Sequence, residues 1–141
     1  MEYIRLGADP YLKDFTEQGI LHLAAFHGHT GIFVFFCSSL KLDINDCDIN
    51  KYTPLHLAVL EGHENLSAYI IATSRNCHEF YDSKGYTALH LTAFSSSYKI
   101  ARHLAMNGAN RKALCFYGQT PAQLAVSRGA TDMVKILVFF I

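Results

Sequence analysis

Thr53-Pro54-Leu55-His56-Leu57-Ala58 recurs along the chain in three near-copies, and their spacing decides the fold. Gly19-Ile20-Leu21-His22-Leu23-Ala24 begins 34 residues before it, and Thr87-Ala88-Leu89-His90-Leu91-Thr92 begins 34 after it. Thr120-Pro121-Ala122-Gln123-Leu124-Ala125 follows after a further 33. Self-similarity at a period of about 33 residues marks an array of stacked units, none of which can bury its apolar face alone. Thr followed by Pro is also a helix start. The hydroxyl can accept from an unpaired amide of the first turn, and Pro has no amide there to leave unpaired.

Outward from these starts, the pattern predicts first helices near 20–27, 54–61, 88–94 and 121–127. Gly28-His29, Gly62-His63, Ser95-Ser96-Ser97 and Arg128-Gly129 break them. Second helices are then expected near 31–40, 64–72, 98–106 and 131–139. Leu66, Tyr69 and Ile70, and again Ile100, His103 and Leu104, fall at i, i+3, i+4 and give those helices a buried stripe. Ile32 to Cys37 is apolar throughout. Alone it reads equally as a strand; the register of the other copies assigns it to a helix. The expected units are a partial repeat at 1–13, in which Tyr3, Ile4 and Leu6 end a helix closed by Gly7, then repeats at 14–47, 48–81, 82–114 and 115–141, the last truncated at its end.

These residues resemble the ankyrin-repeat family, whose motif T-P-L-H-x-A recurs every 33 residues. Further matches are Asp14, Asp48 and Asp82, each five residues before the motif's first position, and Gly85 and Gly118, each two before it. Gly28-His29, Gly62-His63, Gly7-Ala8-Asp9, Gly108-Ala109-Asn110 and Met133-Val134-Lys135-Ile136-Leu137 match as well. The resemblance covers nearly the whole chain. It implies an all-α ankyrin solenoid of stacked helix-turn-helix units with projecting β-hairpin turns. It also implies that the motif Thr and His hydrogen-bond within and between repeats, at Thr53/His56 and Thr87/His90. Gly19, which has no hydroxyl, and Gln123, in place of His, depart from the pattern, so repeat one is expected to be softer at its start.

Composition bounds the function. The 141 residues carry 12 Lys and Arg against 12 Asp and Glu, with half the residues hydrophobic. No net charge and no like-charge block offers no electrostatic case for nucleic acid or anionic lipid. No apolar run reaches the roughly 20 residues that span a bilayer, and the first ten residues lack the apolar core of a signal peptide. Cys37, Cys47, Cys77 and Cys115 form no CxxC pair and read as free thiols of a cytoplasmic protein. No phosphate loop, GxSxG, HExxH or calcium-loop spacing occurs, so no enzyme, cofactor or metal site is expected. His22, His56 and His90 occupy one repeat position, where a structural role explains them. His27 and His29 form an HxH pair, but residues two apart on a helix face away from one another.

What remains is binding to another protein. By resemblance, partners meet the turn tips and the exposed side of the first helices. These positions are Phe26 and His27 in repeat one, with Phe15 nearby; Tyr52, Leu60 and Glu61 in repeat two; Lys84, Tyr86 and Phe94 in repeat three; and Phe116, Tyr117 and Arg128 in repeat four. Phe26, Tyr52, Tyr86, Phe94, Phe116 and Tyr117 make the set rich in aromatics, the class favoured at binding hot spots. Their few, mixed charges indicate no strongly acidic or basic partner. Neither end of the array is polar, as a solenoid cap would be. Val134 and the run Ile136–Ile141 would expose apolar surface, so further repeats or domains are expected at both ends. A second reading is the ankyrin portion of a larger membrane protein: Gly108-Ala109-Asn110-Arg111 with Gly118-Gln119-Thr120-Pro121 resembles the last repeats of ankyrin-bearing protein S-acyltransferases. Catalysis would then lie elsewhere, since the Asp-His-His-Cys motif is absent.

Overall fold

Four helix pairs follow one another along a computed structural model, which describes residues 13, 14, 16, 18–74 and 76–139. The pairs are α1 (Ile20–His27) with α2 (Thr30–Ser39), α3 (Pro54–Leu60) with α4 (Glu64–Thr73), α5 (Ala88–Ser95) with α6 (Tyr98–Met106), and α7 (Pro121–Ser127) with α8 (Thr131–Phe139). A short 3-10 turn, Cys77–Glu79, follows α4. The apolar run in repeat one is helical, as the register required. The partial repeat over 1–13, Phe15 and the apolar end at Phe140 and Ile141 lie outside the described residues, apart from Lys13.

Each first helix packs on the next first helix, α1 on α3, α3 on α5 and α5 on α7, while α4 packs on α6 and α6 on α8. Close stacking needs small residues, and Ala24, Ala25, Ala58, Ala93 and Ala125 supply them, all buried. The core runs continuously from Ile20 to Leu137 through Phe33, Leu55, Leu66, Ile70, Leu89, Ile100, Leu104 and Met133. One repeat position shows what stacking covers. Ala25, Val59 and Ala93 are 0%, 0% and 2% exposed beneath the following repeat, whereas Val126, in register with them on α7, is 62% exposed.

The motif threonines cap α3, α5 and α7. Thr53 Oγ1 accepts from the His56 amide at 3.3 Å, and the His56 ring returns the bond by accepting the Thr53 amide at Nδ1, 3.0 Å. Thr87 with His90 and Thr120 with Gln123 repeat this reciprocal box. At Gly19 only half survives: its amide reaches His22 Nδ1 at 3.3 Å, with no hydroxyl to answer. Because Nδ1 accepts, the ring proton sits on Nε2 and points to the next repeat. His22 Nε2 donates to the Tyr52 carbonyl and His90 Nε2 to the Gln119 carbonyl, each at 2.9 Å.

The turns between helix pairs are built on carboxylates. Asp48 Oδ1 accepts from the amides of Asn50 and Tyr52, and Asp82 Oδ1 from those of Lys84 and Tyr86, all at 2.9 Å. Neighbouring turns are tied by one backbone bond each: the Ile49 amide to the Thr16 carbonyl, Ser83 to Asn50, and Phe116 to Lys84, at 2.9–3.0 Å. The projecting hairpin turns are closed by the Asp48 amide to the Tyr52 carbonyl and the Asp82 amide to the Tyr86 carbonyl, each at 3.0 Å. Among the described residues the only β pairing is an isolated antiparallel bridge between Tyr81 and Thr87.

Candidate binding face

The turn residue Tyr86 and the helix-end residue Phe94 meet edge-on, ring centroids 5.3 Å apart. Tyr117, on the next turn, lies 6.3 Å from Tyr86. Arg128, just past α7, lays its guanidinium over the Phe94 ring at 4.3 Å. Turn tips and first-helix ends of repeats three and four thus converge on one face, and four of the eleven expected site residues form its centre. Tyr86 and Phe94 are half-buried while Tyr117 and Arg128 are exposed, so the first two anchor the second two. Burial raises the Tyr86 hydroxyl's pKa, helped by the nearby Cys115, Tyr117 and Asp82, and the Arg128 charge opposes it.

The other expected residues distribute differently. Tyr52 packs edge-on against His56 at 6.1 Å, and it and Leu60 are half-buried against the core. Phe26 and His27 are exposed and meet edge-on at 5.1 Å, and the Phe26 carbonyl accepts from His63 Nε2 at 2.8 Å. Glu61 and Lys84 are exposed. Phe116 does not join its neighbour Tyr117. It turns to the opposite side and meets Tyr81 at 5.8 Å, over Gly85, whose missing side chain makes room for it. There it lines a groove of about 530 Å³ with His78, Leu114 and Asn110. His27 and His29 also correct their reading. Gly28 takes φ 71 between them, the chain reverses, and the two rings stack at 5.8 Å instead of facing apart.

Among the described residues, no His, Cys, Asp and Glu form a cluster of three or more that could hold a metal ion. Burial pushes the Cys37 and Cys77 thiols up to about 11, far from a reactive thiolate. No described helix is long and apolar enough to cross a membrane.

Charge is unevenly divided along the chain. Residues 1–82 carry five Lys and Arg against eleven Asp and Glu, net −6; residues 83–141 carry seven against one, net +6. Whole-chain neutrality hides this division, which counting by halves would have found.

A family model for ankyrin repeats matches the chain in three overlapping copies, over residues 1–79, 21–113 and 70–140. No curated protein matches it.

Proposed function

The chain belongs to the ankyrin-repeat family, and on that premise we propose that it is a non-catalytic module presenting its concave face and turn tips to a protein partner. Ankyrin repeats are in general protein–protein interaction modules and typically non-catalytic. The observation that carries the reading here is the cluster of Tyr86, Phe94, Tyr117 and Arg128. Large aromatic and guanidinium groups held on a stacked scaffold lose little side-chain freedom on binding, which is what makes such residues dominate interfaces. Four free thiols fit a reducing compartment, and the reading places the module in the cytoplasm.

Affinity capture with the immobilised 141-residue chain tests this. Proteins retained by the wild type should be lost on Tyr117→Ala and kept on Phe116→Ala, both being exposed changes that spare the core. Retention indifferent to Tyr117 in every captured protein would remove the face from the account.

A further inference from the structure

We propose that the face at repeats three and four takes an acidic peptide segment, with one Asp or Glu side chain of the partner seated on Arg128 beside the rings of Phe94, Tyr86 and Tyr117. The inference deepens the reading above and rests on it. It starts from the guanidinium. Arg128 is exposed, stacked on Phe94 at 4.3 Å, and has no carboxylate within ion-pair distance among the described residues. A guanidinium resting on a ring face can still offer its N–H edge, the part that binds a carboxylate bidentately. Tyr86 bridges Phe94 and Tyr117, so the cation rests on one end of a run of three aromatic rings that supplies apolar contact beside it.

Charge gives the partner its sign. Repeats three and four, which build this face, carry seven Lys and Arg against two carboxylates, net +5: Asp82, buried beneath its turn, and Asp132, on the first turn of α8. Lys84 is exposed on the turn of repeat three. The position of repeat two that corresponds to Arg128 is Glu61, also exposed, so the charge at that position is reversed two repeats earlier. An acidic segment therefore finds favourable potential over repeats three and four and unfavourable potential over repeat two. That fixes its placement as well as its charge.

The test is selection of a random 12-residue peptide display library on the full chain at low salt, followed by affinity measurement on the synthetic peptides. The expected result is enrichment of Asp or Glu at a fixed position. Arg128→Gln should weaken those peptides about tenfold or more, as truncating one side of a desolvated charge pair does, and Arg128→Glu should move the selection toward Lys or Arg at that position. Peptides without an acidic residue that still depend on Tyr117 would overturn the charge assignment and leave the binding face standing. Peptides indifferent to both Tyr117→Ala and Arg128→Gln would overturn both. A phosphoserine replica that binds where the Asp and Glu forms do not would replace the acidic peptide with a phosphopeptide. An absence of any enriched sequence would also count against the proposal.

Discussion

Substituting Gln for His56 should flatten the acid limb of the stability profile, and the amount follows from the site. His56 is fully buried. Burial holds its ring down to about 4, against 6.5 for a free side chain, although Asp82 and the Phe80 and Tyr86 backbone pull the other way. Its Nδ1 is committed to the Thr53 amide and hydroxyl, and its Nε2 finds no partner within hydrogen-bond geometry. Between pH 6.5 and 4 the unfolded chain binds a proton that the folded ring refuses. Stability from this group is therefore complete above pH 6.5 and falls as the pH drops toward 4. The linkage relation gives a loss of about 2 kcal/mol by pH 5, a sizeable part of the 5–15 kcal/mol typical of a domain. Gln is a fair replacement because the chain uses it: Gln123 Oε1 accepts the Thr120 amide at 2.9 Å and its own amide reaches Thr120 Oγ1. Urea unfolding followed by circular dichroism at pH 7 and pH 5 measures the difference. The wild type should lose about 2 kcal/mol more than H56Q over that interval, while His90, also lowered by burial, titrates in both. Parallel losses in the two proteins would refute the claim that His56 stays neutral in the fold.

Other changes read other parts of the array. Gly85→Ala should destabilise by roughly 2–4 kcal/mol in the same assay, because Gly85 has φ 80 and a Cβ there would lie 2.7 Å from the Phe116 backbone nitrogen. Ser96 holds φ 55 where the other repeats place glycines at φ 71, 73 and 75, so Ser96→Gly should stabilise by about 0.5–1 kcal/mol, seen as a raised midpoint. Val59→Asp should abolish the cooperative transition, since an unpaired charge would sit at a fully buried position. Val126→Asp, at the matching position of α7, should change stability by no more than about 0.5 kcal/mol; a large loss there would show that this side of the fourth repeat is covered.

The helices were legible because each carries its own signals. Thr53-Pro54 and Thr120-Pro121 start helices by capping and by a missing donor, and the repeat register rescued α2, whose apolar run has no helical period of its own. The turns were less legible. Asp48 and Asp82 match the family pattern in sequence, but nothing in the spacing says that each takes two amides. The face was half legible. The turn-tip rule named Tyr86, Phe94, Tyr117 and Arg128, which the structure brings together, and Phe116, which it sets against Tyr81 instead. Adjacent residues on a turn leave it on opposite sides, and Gly85 opens the space that draws Phe116 away. The HxH pair failed similarly, because Gly28 reverses the chain between two residues that a continuous helix would have separated.

The most direct test of the account is amide chemical-shift mapping on the isotopically labelled 141-residue chain, titrated with the tightest peptide from the display selection. The account predicts shifts concentrated at Tyr86, Phe94, Tyr117 and Arg128, with Phe116 and Leu114 on the opposite groove unmoved. Shifts centred on that groove, or on Val126 at the open side of α7, would contradict it.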